Sequence, residues 1–246
     1  MNYNLKSVFF GYITFTSQKF DDSKLFSKEF SNSMFLSKIK IWYGHPKPGN
    51  NAINLKTILG IQCVYTNIIT GEKIISEPHH GELFNDYFEE DEIELKNGDY
   101  FKRIFIDANL YEYEDSIGAG IIYIKLETKD KNFVEIGEYI EGHNLERYDF
   151  RFLNKPHVIQ TFFGRYDDYG LRALGFNYIS RENLIFICLK DILELRYYLN
   201  HNDEERKKWE NPEEKKTLSD KMKAIINLCF LEERDFLRVA KYLIPF

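Results

Sequence analysis

The chain has 246 residues, 33 Lys and Arg against 39 Asp and Glu, and a formal net charge of -6. That balance has no basic excess and no Lys/Arg stripe, which argues against a nucleic-acid partner. Apolar residues at 43% and aromatics at 16%, nearly all Tyr and Phe, describe a folded chain of one or two domains rather than a disordered one.

The N-terminal apolar stretch, Val8 to Phe15, is short and broken by Gly11, Tyr12 and Thr14, with no small-residue cleavage site after it, so it does not read as a signal peptide. No segment approaches the ~20 apolar residues of a spanning helix. Cys63, Cys188 and Cys229 are scattered, with no CxxC or Cys/His ligand spacing. They read as small buried apolar side chains in a reducing compartment, not as a disulfide framework. With no Asn-x-Ser/Thr acceptor in the chain, the expected setting is intracellular, cytoplasmic or cytoskeletal.

Up to about Arg181 the pattern is β. "SVFFGYITFT", "SKIKIWYG", "LKTILGIQCVYTN", "EKIISEP", "DEIELKNGDYFKRIFIDANLY", "GIIYIKLETKD", "FVEIGEY" and "VIQTFFGR" are short runs of β-branched and aromatic residues. Gly, Asn, Asp or Pro bounds most of them. "IKLETKDKNFVEIG" predicts a hairpin turning at Asp130-Lys131-Asn132, and "ELKNGDYF" a second at Asn97-Gly98. Many short, evenly spaced strands predict a sandwich, barrel or prism.

After Asn183 the period becomes helical, with Leu189, Ile192, Leu193 and Leu199 on "LIFICLKDILELRYYLN". The run "HNDEERKKWENPEEKK" reads as a solvated linker and helix start. Asn211-Pro212-Glu213-Glu214 is a helix opening: a capping Asn, a Pro for the first turn, and two acids at the positive end of the dipole. Leu218, Met222, Ile225, Ile226 and Cys229 then form one apolar stripe, and Phe236, Leu237, Ala240 and Leu243 a second, stopped by Pro245. The expected organisation is a β domain over 1–181 and a helical extension over 182–246, with two to four helices.

Several landmarks come in order: "FDD" at Phe20 to Asp22, "LGIQCVYTN" at Leu59 to Asn67, "HHG" at His79 to Gly81, "IELKNGDYFKRI" at Ile93 to Ile104, "IIYIKLETKDKNFVEIG" at Ile121 to Gly137, and "VIQTFFGRYDDYGLRALGFNY" at Val158 to Tyr178. Together they resemble the jacalin-type lectin family across roughly Gly11 to Ile179. The resemblance implies a mainly β fold, a β-prism of three antiparallel sheets, with the C-terminal helices outside it.

It also implies a sugar site at one end of the prism. In the family that site is built from an N-terminal glycine-rich loop and a closing Gly-x-x-Leu-Asp loop, whose carboxylate accepts hydrogen bonds from sugar hydroxyls. This chain departs from both parts. Ser17-Gln18-Lys19 stands before Phe20 without a glycine pair, the closing loop is one residue longer, and Arg172 falls at the Asp position. Arginine only donates, so it cannot replace a carboxylate. The residues left to meet a glycan are Tyr166, Asp167, Asp168, Tyr169 and Gly170, with a shifted Gly164-x-x-x-Asp168 string and two rings able to stack on a sugar or a protein.

Other chemistry is thin. His79-His80, beside Glu77 and Glu82, suggests a metal, but adjacent strand residues point to opposite faces and a structural turn explains them, so no metal is expected. "YFEEDEIE" lacks the spacing of a calcium loop. With no nucleophile elbow, P-loop, HExxH or dinucleotide fingerprint, neither an enzyme nor a cofactor is expected. Two readings follow. The first is a non-enzymatic interaction or structural subunit of a protein assembly, with Leu218, Met222, Ile225, Ile226, Phe236, Leu237 and Leu243 as docking residues. The second is a working glycan-binding lectin.

Overall fold

The structure, a computed structural model, describes residues 5–12, 17–26, 33–45, 56–81, 88–95, 99–113, 116–129, 132–137, 145–152, 156–218, 220–232, 234–236 and 238–239. Its β part is three antiparallel sheets around one core. The first sheet runs β1 (Leu5–Lys6), β14 (Gly170–Ser180), β13 (His157–Asp167), β3 (Gln18–Asp21), with β2 (Phe10–Gly11) also on β14. The second runs β6 (Lys73–Ile75), β5 (Thr57–Asn67), β4 (Met34–Gly44), β8 (Phe88–Glu94), with β7 (His79–His80) on β5. The third runs β11 (Phe133–Gly137), β10 (Ser116–Thr128), β9 (Phe101–Tyr113), β12 (Leu145–Arg151).

The period of two sets which face is buried. Ile39 and Ile41 of β4, Ile61, Cys63 and Tyr65 of β5, Ile104 and Ile106 of β9, Ile124 and Leu126 of β10, and Phe162 and Phe176 of β13 and β14 all meet in the shared core. The intervening residues carry cross-strand ion pairs on the outside, such as Lys38–Glu92 and Lys40–Glu90 at 2.7 Å and Arg103–Asp149 at 2.6 Å. On β10 the register slips between Ile121 and Tyr123, so that Tyr123 comes opposite Asp107. Asp107 alternates with the core residues Ile106 and Ala108 and so faces away from the shared core, yet it is fully buried, with Arg147 Nε at 3.4 Å.

The β10–β11 hairpin forms as expected, with Thr128 N–H donating to Asn132 O at 2.8 Å; Asp130 and Lys131 lie outside the described residues. The second expected hairpin, across Asn97-Gly98, does not form. β8 pairs with β4 and β9 with β10 and β12, so the chain there crosses from the second sheet to the third. Asn97 and Gly98 themselves lie outside the described residues; before them, Leu95 N–H donates to Ser37 O of β4 rather than to β9. The first expected strand is also divided: β1 and β2 both pair with β14, and Val8 between them is exposed.

Ser180 ends β14 and caps α1 (Arg181–His201), its Oγ accepting from Asn183 N–H at 3.2 Å. The charged run is more ordered than a linker. Asp203–Glu210 forms α2, capped by the Asn202 side chain, with three acids in its first turn and Lys207 and Lys208 in its last. Asn211 does accept from Glu213 N–H, but it opens only a 3-10 turn, Glu214–Thr217. Leu218 is extended there, and α3 (Asp220–Cys229) starts afresh at Asp220.

The helices dock on the prism. Leu184, Ile187, Cys188 and Ile192 of α1, Ile225, Leu228 and Cys229 of α3, and Phe236 form one cluster with Ile68, Ile69, Val158 and Ile179. Those prism residues lie just after β5, at the start of β13 and at the end of β14. The β13–β14 turn is at the other end of the same strands, about 30 Å away at ~3.3 Å per residue.

Candidate functional site

The β13–β14 hairpin pairs Asp167 with Gly170, leaving Asp168 and Tyr169 at its tip. Asp167 uses both carboxylate oxygens inside the hairpin. Oδ1 accepts from Tyr169 N–H at 2.9 Å and Oδ2 accepts from Arg172 Nε at 2.7 Å. Both side chains are nearly out of solvent, at 6% exposure for Arg172 and 11% for Asp167. The guanidinium also stands 5.5 Å from the centre of the Tyr169 ring.

Gly170 has φ +118°, and a Cβ on it would stand 2.5 Å from Ile58 O, so the turn requires glycine. Thr57 Oγ1 donates to Tyr169 O at 3.2 Å and ties the tip to β5. On the other flank, Tyr166 hydroxyl donates to Gln18 Oε1 at 3.1 Å, and Arg165 reaches Ser17 Oγ at 3.3 Å.

Beneath the tip lies the ledge His79–Gly81. A Cβ on Gly81 would come within 2.4 Å of Asp167 O and 2.5 Å of Asp168 Cα, so only glycine lets the hairpin rest there. His79 fastens the ledge from below. Its Nε2 donates to Asp22 Oδ1 at 2.6 Å, and its ring stacks on Phe20 at 3.9 Å. Asp22, 1% exposed, also accepts from the Tyr65 hydroxyl, which in turn accepts from Phe162 N–H at 3.2 Å. Burial, with Cys63 and Asp22 alongside, pushes the Tyr65 phenol well above its ordinary value, so it stays a donor.

The five loop residues expected from the sequence therefore divide. Asp168 and Tyr169 are exposed, Tyr166 is half-buried against Gln18, Asp167 is consumed by Arg172, and Gly170 is buried. Gly164 is not in the loop: it lies within β13, where a Cβ would meet the Phe20 ring at 2.6 Å. His79 and His80 point apart, one to Asp22 and one to Trp42 at 5.1 Å between rings. Among the described residues no three His, Cys, Asp or Glu converge as metal ligands. Gln18, Thr57 and Gly81 were not singled out as loop supports; "FDD" and "HHG" marked the Asp22–His79 pair only as landmarks.

The residues expected to dock a partner lie at the other end. Ile225, Ile226 and Phe236 are buried within this chain, Leu218 and Met222 are half-buried, and Leu237 and Leu243 lie outside the described residues.

No protein-family model and no curated protein matches the chain. Solved structures do. The mannose-binding jacalin-related lectin AcmJRL from Ananas comosus superposes with a TM-score of 0.50 at 16% identity, over 73% of this chain and 99% of that one. Frutapin, a lectin from Artocarpus incisa, gives 0.52 at 16% identity over the same shares. Artocarpin, in a complex with mannopentose, gives 0.50 at 15% identity over 72% of this chain and 99% of its own. The fold is that of the jacalin-related lectins. At these identities the likeness speaks for the β-prism and not for its ligand. Among the described residues no helix is long and apolar enough to cross a membrane.

Proposed function

We propose that this chain is a non-enzymatic binding module, a lectin-type β-prism that serves as an interaction subunit of a protein assembly and has lost sugar recognition of the mannose kind. The observation that carries the reading is the Arg172–Asp167 pair. A sugar site at this loop needs a free carboxylate to accept from two hydroxyls. The buried carboxylate of the hairpin already accepts from Arg172 Nε and Tyr169 N–H.

What remains outward is a half-exposed Tyr169 and the Asp168 carboxylate on a tip held by Thr57 and Gly81. A rigid aromatic beside a charge suits a protein surface. The free thiols Cys63, Cys188 and Cys229 support an intracellular setting, cytoplasmic or cytoskeletal, for such an assembly.

A second reading, glycan binding by Asp168 with Tyr169 as the stacking platform, is favoured by the exposure of these two side chains alone. A glycan array probed with the full chain, followed by calorimetry with methyl mannoside, separates the two. The first reading expects no saturable binding up to about 10 mM. Binding lost in Asp168→Ala and in Tyr169→Ala would replace it with the second.

A further inference from the structure

The three sheets treat their outward cations differently. On the second and third, Lys38, Lys40, Arg103 and Lys125 each hold a carboxylate at 2.7 Å or less. On the outer face of the first, Lys6 of β1, Lys19 of β3 and Arg165 of β13 hold none among the described residues. Lys6 Nζ stands 4.1 Å from the centre of the Phe163 ring, and Arg165 reaches only Ser17, its O at 3.4 Å and its Oγ at 3.3 Å. Lys19 is exposed and alternates with the core residue Phe20, which sets it on the outside. Asp21, the acid of this face, is turned to Ser23, accepting from its hydroxyl at 2.6 Å and from its N–H at 3.1 Å. Lys19 lies opposite Arg165, which is opposite Ala173 of β14, whereas Lys6 is opposite Asn177. At ~3.3 Å per residue and ~4.8 Å per strand, Lys6 and Lys19 are about 20 Å apart.

Beside these cations the chain bulges outward between β1 and β2, and the bulge carries Val8, 71% exposed, and Phe9, 38% exposed. Ser7 fixes it from both sides. Its N–H donates to Phe176 O at 2.9 Å, and its hydroxyl accepts from Phe176 N–H at 2.8 Å and donates to Val8 O at 2.9 Å. Phe9 stands edge-on to Phe163 at 5.1 Å. Phe163 in turn lies so close over Gly175 that a Cβ there would come within 2.4 Å of its ring. The middle of the face is therefore filled rather than grooved, with an aliphatic tooth at its edge.

We propose that the outer face of the first sheet docks on an anionic lipid surface, with Val8 and the open edge of Phe9 entering the headgroup layer and Lys6, Lys19 and Arg165 meeting lipid phosphates and carboxylates. Charge selects the occupant. In a chain of net charge -6, this face sets three cations against Asp21, so an anionic partner gains here and a cationic one does not. The spread of about 20 Å suits many anions in one plane rather than a single small anion. Val8 selects lipid: an exposed aliphatic side chain among cations gains by leaving water, and a filled face has no slot to insert a peptide side chain. With three cations and one tooth, the attachment is weak and reversible. It does not depend on what the hairpin tip binds.

Co-sedimentation of the full chain with sucrose-loaded vesicles, at about 1 mM lipid and about 0.1 M salt, tests this. Phosphatidylcholine vesicles with about 40% phosphatidylserine are expected to bind at least ~10-fold more chain than phosphatidylcholine alone, and about 0.5 M salt to release it. Lys19→Glu is expected to weaken binding about 20-fold. Lys129→Glu makes the same charge change at an exposed residue just after β10 and is expected to weaken it less than about three-fold. Val8→Asp is expected to weaken it at least ~10-fold. Positions 8, 19 and 129 are exposed, and matching thermal melts verify that each variant is folded. No preference for anionic vesicles overturns the proposal, as does equal loss in Lys19→Glu and Lys129→Glu. Binding of poly-glutamate as tight as that of vesicles, with Val8→Asp changing neither, gives the face to an acidic protein segment and overturns the lipid assignment.

Discussion

His79 Nε2 and Asp22 Oδ1 stand 2.6 Å apart across 57 residues of chain, and this pair joins the ledge under the hairpin tip to the edge of the first sheet. Because Asp22 also accepts from Tyr65, removing it strands two buried donors at once. Asp22→Ala is expected to cost about 3 kcal/mol, and His79→Ala about half that, since Tyr65 still satisfies the carboxylate in part. Urea denaturation checks both, and equal costs would contradict the assignment of Asp22 as the hub.

Arg172 and Asp167 are expected to behave as a coupled unit. Each single change to Ala leaves a nearly buried charge without its partner and should cost about 2–4 kcal/mol, whereas the double change costs clearly less than the sum. A double-mutant cycle by chemical denaturation reads the coupling. Arg172→Asp alone is expected to give no mannoside binding by calorimetry, because Ser17-Gln18-Lys19 still supplies no glycine pair.

Asp107 is fully buried with neither oxygen hydrogen-bonded, and burial raises its carboxyl pKa, partly countered by Arg147. A folded-state pKa above the unfolded one means that the folded chain keeps a proton which the unfolded chain has released. This group's contribution is therefore intact below the ordinary Asp value of about 3.9 and is lost as pH rises through the raised one. Asp107→Leu is expected to raise stability near neutral pH by about 1 kcal/mol or more, with the gain shrinking in acid. Urea midpoints at several pH values measure it; a gain that grows in acid would be the wrong sign.

The three thiols should be silent in the native chain. Burial pushes Cys188 to about 12, Cys229 to about 11 and Cys63 well above its ordinary value. The thiolate is the reactive form, so a thiol reagent at neutral pH is expected to label none of them until the chain is denatured. Rapid native labelling of Cys63 would show that the core opens locally.

The prism was legible because its evidence is local: period-two runs, glycines at reversals, and six landmarks in a fixed order. The partner of a strand was not. "ELKNGDYF" has the turn residues of a hairpin, but whether β8 and β9 pair or diverge into two sheets depends on Leu95 finding Ser37, about sixty residues of chain away. The hairpin loop was legible as a loop, and Arg172 as a departure. That Arg172 would close on Asp167 was not, since a five-residue spacing in sequence says nothing about a side chain turning back over its own hairpin. α2 was read only as part of a linker and helix start, because a run whose one apolar residue is Trp209 carries no apolar period; its signal lay in capping, with Asn202 ahead of three acids.

β14 begins at the tip of the hairpin and ends where Ser180 caps α1, and it has bonded neighbours on both sides, β13 on one and β1 and β2 on the other. Its amide protons can exchange only when most of the chain comes apart, whereas α2, with no buried residue, can open alone. In deuterium exchange the molecule should thus show a slow central filament running unbroken from tip to helices, flanked by faster-exchanging segments. A force applied to the tip would reach α1 through hydrogen-bonded backbone rather than through side-chain contacts, which makes β14 the stiff spar of this protein.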